Sequence, residues 1–94
     1  MAVIGVWTQQ PADQLDYDLD YGAKFLTSGD TVIGSAVSSS PSGLTVTDLV
    51  VGGDTIKLWV SGGTDGVRYR VQVTATTDHG RVKQDEVMFN IREF

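Results

Sequence analysis

Cysteine is absent from this chain of 94 residues, histidine occurs once and proline twice. The missing cysteine removes disulfide staples, thiol catalysis and thiolate metal sites, so the fold has to be held by apolar burial. One histidine, His79, excludes most nucleophilic triads and the common zinc ligand sets. It stands in Asp78-His79-Gly80-Arg81 and reads as a solvated turn residue with no partner for nucleophilic or metal chemistry. Neither G-x-x-x-x-G-K-[ST] nor a strand-to-helix G-x-G-x-x-G is present, and Gly62-Gly63 has no helix dipole behind it. Positive charge is also short, with 7 Lys and Arg against 12 Asp and Glu and a net charge of −5. Residues 1–54 hold seven Asp against one Lys, whereas residues 55–94 hold five acids against six bases. Such a chain is poorly suited to gripping a phosphate backbone, and no nucleic-acid partner is expected. The start Met1-Ala2-Val3-Ile4-Gly5-Val6 carries no basic leader, and no apolar run reaches signal or membrane-spanning length. The expectation is a complete product made in the cytoplasm, with no membrane partner.

What the sequence does contain is alternation. Val, Ile and Thr number 27 together, against 13 for Leu, Ala and Glu, so β-branched residues outnumber the helix formers. From Val67 to Thr76 the chain reads VRYRVQVTAT, strict period two over ten residues. Val67, Tyr69, Val71, Val73 and Ala75 should face a core, and Arg68, Arg70, Gln72, Thr74 and Thr76 should face water. The run Asp65-Gly66-Val67-Arg68-Tyr69-Arg70-Val71 is spaced like the D-x-A-x-Y-x-C that opens strand F of an immunoglobulin domain, with Val71 at the cysteine position. Tyr69 is then the candidate tyrosine corner, its hydroxyl bonded to backbone upstream. The expected fold is all-β, an immunoglobulin-like or fibronectin-III-like antiparallel sandwich of about seven strands in a single domain over residues 1–94.

Taken in order, residues 3–14 read as an edge strand or, over 1–14, an extended N-terminal arm stopped by Pro11. Trp7 in this arm either packs over the end of the sandwich or anchors a neighbouring chain. Leu15, Tyr17, Leu19 and Tyr21 alternate with Asp16, Asp18 and Asp20, predicting a strand with an acidic outer stripe. Ala23-Lys24-Phe25-Leu26 reads as a short helical turn with Phe25 and Leu26 tucked inward. In Thr31–Ser38 the favoured core pair is Ile33 and Val37, against Val32 and Ala36 on the other parity, and Gly34 suggests a bulge. Leu44–Val51 and Thr55–Val60 follow as strands, with Ile56, Leu58 and Val60 inward and Lys57 and Trp59 outward. Trp59 is either a lid over a loop or an interface anchor. Gly80 supplies the left-handed position of a hairpin turn, and Val87, Phe89 and Ile91 complete the core.

Chemistry is the weakest signal. Same-face carboxylates on a strand stand ~6.5 to 7 Å apart and do not converge on one ion, so Asp16, Asp18 and Asp20 are read as a solvated stripe and no metal or cofactor is expected. Every acid is assigned to an outward or turn position, which leaves none in the apolar pocket a glycosidase acid needs. The sequence argues against an enzyme.

Several runs together carry a resemblance: Pro11-Ala12-Asp13, Leu15-Asp16-Tyr17, Asp20-Tyr21, Gly29-Asp30-Thr31-Val32, Trp59-Val60-Ser61-Gly62-Gly63-Thr64 and Tyr69-Arg70-Val71. Over residues 7–92 the chain resembles the small phage fibre-tail adaptor proteins, although that family often has a tryptophan where this chain has Tyr21 and an aromatic near Val37. The resemblance implies an immunoglobulin-like virion protein of the tail, with tail tube or nozzle and fibre or spike proteins as partners. If the strands holding Asp16 and Arg68 lie in different sheets, Asp16, Asp18 and Asp20 project opposite Arg68 and Arg70 and cannot neutralise them within one copy. Opposed complementary faces favour head-to-tail contact between copies, with Trp7 and Trp59 as anchors. The rival expectation is a carbohydrate- or surface-binding module, which needs a second aromatic coplanar with Trp59. A third is a ligand-free internal scaffold domain.

Overall fold

A computed structural model describes residues 2–22, 25–26 and 28–93. Seven strands run β1 Ala2–Gln9, β2 Gln14–Asp20, β3 Val32–Ser40, β4 Leu44–Val51, β5 Thr55–Gly62, β6 Arg68–Thr77 and β7 Val82–Ile91. They form a four-stranded sheet in the order β1-β7-β6-β3 and a three-stranded sheet in the order β2-β5-β4. The strands containing Asp16 and Arg68 therefore belong to different sheets. All pairings are antiparallel except β1 with β7, which is parallel. That pairing departs from the all-antiparallel expectation and puts Ala2–Gln9 at the edge of the four-stranded sheet, as the edge-strand reading of this segment expects.

The inward faces of the two sheets share one buried cluster. Leu19, Leu44, Ile56, Leu58 and Val60 come from the smaller sheet, and Val71, Val73, Val87, Phe89 and Ile91 from the larger. The alternation of β6 reads directly in its burial: Tyr69, Val71, Val73, Ala75 and Thr77 are buried, and Arg68 and Arg70 are exposed. Tyr69 lies under the loops that cross between the sheets. Its hydroxyl accepts a hydrogen bond from the Thr64 N–H at 2.9 Å, which ties the chain entering β6 to the core. The crossing also needs Gly63, whose φ is +92° and whose hypothetical Cβ would stand 2.7 Å from Ile91 Cγ1.

β3 corrects one expectation. Val32 is 3% exposed and Ile33 is 61% exposed, so Val32 and not Ile33 enters the core, while Val37 packs against it. Val32 and Val37 are an odd number of residues apart and can share a face only because the register shifts between Val32 and Gly34. A bulge adds one residue and inverts the parity behind it. Of the predicted turn at 23–26, Ala23 and Lys24 lie outside the described residues. The N–H groups of Phe25 and Leu26 both donate to the Tyr21 carbonyl, and both side chains pack partly buried on the core.

Candidate functional site

Among the described residues no three His, Asp or Glu side chains come together, and each of the two sheets presents an outward face. On the three-stranded sheet the face is centred on β5. Its Lys57 is opposite Asp18 and Leu49, and its Trp59 opposite Asp16 and Thr47. Trp59, Leu49 and Val51 are 41%, 56% and 40% exposed, an apolar group beside the acidic stripe. The stripe is not bare: Lys57 Nζ lies 2.8 Å from Asp16 Oδ2 and 3.4 Å from Asp18 Oδ1. Its hydrogen bond holds the Asp16 carboxyl below its usual range, and the same bond raises the ammonium of Lys57. Asp20 turns to the strand end, where its Oδ1 accepts the Gly22 N–H at 2.8 Å. The charge of this face is therefore partly met within one copy, by a lysine that the reading of opposed charges left out of account. Lys57 was assigned outward, and its register against Asp16 and Asp18 is set by a pairing between residues 41 positions apart.

The outer face of the four-stranded sheet carries Arg68 and Arg70. Arg68 Nε donates to Asn90 Oδ1 at 3.0 Å, and Arg70 Nε lies 3.5 Å from Glu86 Oε1. Two shallow hollows flank Arg68. One of about 320 Å³ is lined by Thr8, Gly66, Val67, Arg68, Asn90 and Arg92. The other, of about 360 Å³, is lined by Ser40, Pro41, Arg68, Arg70 and Met88.

Trp7 turns inward. Its ring lies 4.9 Å from that of Tyr17 and 5.5 Å from that of Phe89, so in the isolated chain it covers the end of the core. Under it lies a buried polar link that the sequence reading missed. Tyr17 donates its hydroxyl hydrogen to Gln9 Oε1 at 2.7 Å, and Gln9 Nε2 donates to the Val60 carbonyl at 2.9 Å. Burial raises the Tyr17 phenol, and the carboxylates of Asp13 and Asp16 add to this. Val71 is fully buried and Gly80 has φ +82° in the β6–β7 turn.

One acid contradicts the assignment of every carboxylate to an outward or turn position, for Asp85 lies within β7 and is 2% exposed, while Asp30 keeps its place in the β2–β3 loop but is buried there at 6%. Asp85 shares the inward parity of Val87, Phe89 and Ile91, and extending that period backwards would have found it. It pairs with Lys83 at 3.0 Å, and burial together with this carboxylate pushes the Tyr21 phenol up. Asp30 Oδ1 accepts the N–H groups of Thr31 at 2.9 Å and His79 at 3.0 Å. Burial works against its charge, but these donors and Thr77 outweigh burial and hold the carboxyl below its usual range. His79 is not alone at its turn tip, since Nδ1 lies 3.9 Å from Asp30 Oδ1. These bonds knit the β2–β3 loop to the β6–β7 turn. Among the described residues no three His, Asp or Glu side chains converge as a metal site would require.

A family model described as podophage GP4 fiber-tail adaptor protein gp77 matches residues 9–90. No curated protein matches the chain.

Proposed function

The chain belongs to the podophage GP4 fiber-tail adaptor family, and from that premise we propose that it is a non-enzymatic adaptor, present in several copies, that joins fibres or spikes to a bacteriophage tail. Its place is then the virion tail and its partners are other virion proteins. We read its two sheets as one immunoglobulin-like sandwich domain, supported by the strand orders β2-β5-β4 and β1-β7-β6-β3 and by the Tyr69 hydroxyl on the Thr64 N–H.

The observation that carries the multi-copy reading is the exposed group Trp59, Leu49 and Val51 on one outer face, with Arg68 and Arg70 on the opposite one. Two unlike faces on opposite sides of a thin body suit heterologous contact, which closes into a ring or continues as a filament. Because Lys57 already holds Asp16 and Asp18, the apolar group supplies the contact and the remaining charges set its orientation. The carbohydrate-binding alternative lacks support, because the cross-strand neighbours of Trp59 are Asp16 and Thr47, not a second aromatic.

The test is incorporation into phage particles. Trp59→Ser and the double reversal Arg68→Glu with Arg70→Glu should each leave the isolated chain folded and reduce its incorporation. Normal assembly of the Trp59 variant removes the apolar anchor, and normal assembly of the double reversal removes the charge-face idea.

A further inference from the structure

The cationic side chains divide into those already matched and those that are not. Lys57 is held by Asp16 and Asp18, Arg70 by Glu86, and Lys83 by Asp85. Arg81 stands 4.1 Å over the ring of Phe25 and donates to the Phe25 carbonyl at 3.0 Å. Among the described residues this leaves Arg68 and Arg92 as the two guanidinium groups that meet neither a carboxylate nor a ring. Both line the same hollow, with Thr8 and Asn90. In a chain of 12 acids and 7 bases, two unmatched arginines at one corner are not explained by a shortage of carboxylates.

The register supplies the shape of what would fill the corner. Thr8, Asn90 and Arg68 form one cross-strand row, and Arg92, two residues beyond Asn90 and tied by its N–H to the Gln9 carbonyl, continues the same edge of the hollow. Rows two residues apart on a sheet stand ~6.5 to 7 Å apart, which is also the repeat of alternate side chains in an extended peptide. The guanidinium fork suits the carboxylate in two-pronged contact, and the Asn90 side chain takes only the Nε–H of Arg68, an otherwise exposed side chain. A nucleic-acid backbone is disfavoured by the net charge of −5.

We propose that the corner formed by Arg68 and Arg92, with Thr8 and Asn90, docks an extended acidic segment of a partner protein, with carboxylates at alternate positions. The inference rests on the adaptor reading only in taking the occupant to be another protein chain. The contact between copies in the adaptor reading takes the apolar group and the Arg70 side of the opposite face and leaves this corner open, since two of the three carboxylates of the acidic stripe are already held by Lys57.

The experiment titrates the isotopically labelled full chain with a short peptide of alternating Asp and Ala, following backbone amide NMR shifts at low salt. The expected shifts centre on Thr8, Gly66, Arg68, Asn90 and Arg92, and either Arg68→Gln or Arg92→Gln weakens binding about tenfold without lowering the unfolding midpoint. Shifts centred on another surface overturn the proposal. So does an equal response to inorganic phosphate, which marks a small-anion site, or concentration-dependent self-association that covers the corner in the absence of peptide. Arg92 belongs to neither outer-face group used above, so failure of the peptide titration and failure of Trp59→Ser to impair assembly are separate results.

Discussion

The outer face of the three-stranded sheet and that of the four-stranded sheet are built on the same alternation, yet they treat charge differently. On the smaller sheet a central lysine reaches two aspartates of the edge strand, and beside them Trp59, Leu49 and Val51 stand exposed among Thr45, Thr47 and Asp20. On the larger sheet Arg70 meets Glu86, Arg68 meets the neutral Asn90, and among the described residues neither Arg68 nor Arg92 meets an acid. A charge satisfied in its own copy orients a contact weakly, because exposed pairs have little Coulomb energy left to offer a neighbour. The contrast leaves an exposed apolar group on one face and unmatched charge at the corner of the other.

The largest expected effect would abolish the comparison by disturbing the crossing that separates the faces. Gly63→Ala forces a Cβ to 2.7 Å from Ile91 Cγ1 at φ +92° and should cost about 2 to 4 kcal/mol in urea unfolding. Gly66→Ala, at φ +84° with nothing within 4 Å, should cost only about 1 to 2 kcal/mol. Equal costs would mean that the close approach at Gly63 does not hold the crossing.

A smaller effect separates the two tryptophans. Trp7→Ala removes a ring packed on Tyr17 and Phe89 and should cost about 3 kcal/mol. Trp59→Ala, on a side chain 41% exposed, should cost about 1 kcal/mol or less while still impairing assembly. A reversed order in chemical denaturation would exchange their roles.

The smallest effect concerns Lys57. Asp16 has a folded pKa below its ordinary 3.8, so its contribution is present above that value and is lost as pH falls through the depressed one. Lys57 is raised above 10.5, so its contribution is present below 10.5 and is lost as pH rises through the raised value. Lys57→Gln should therefore lower the unfolding midpoint slightly and evenly across neutral pH. The gap to the parent chain should close at acid and alkaline extremes, and salt should narrow it. A gap that persists in strong acid would show that Lys57 acts by packing, not by charge.

Much of the inward face was legible because strand periodicity is local. VRYRVQVTAT announces its burial without reference to any other segment, and Ile56, Leu58 and Val60 do the same. Ile33 was misread because both parities of Thr31–Ser38 offer apolar residues, and only the shift against β6 decides between them. Asp85 was misread because an acid was assumed to face outward, although its parity with Val87 said otherwise. The Gln9–Tyr17 link had no local signal at all, since its partners meet only when β1 and β2 fold over β5.

By itself the sequence determined which side of each regular strand is apolar, where the turns fall and which chemistries have no residues to run on, for these depend on side-chain order along the chain. Tertiary structure alone decided which charges are satisfied within the chain and which are not. An ion pair or hydrogen bond depends on distance in space, and the distances that matter, from Lys57 to Asp16 and from Arg68 to Asn90, are fixed by pairing strands far apart in the chain.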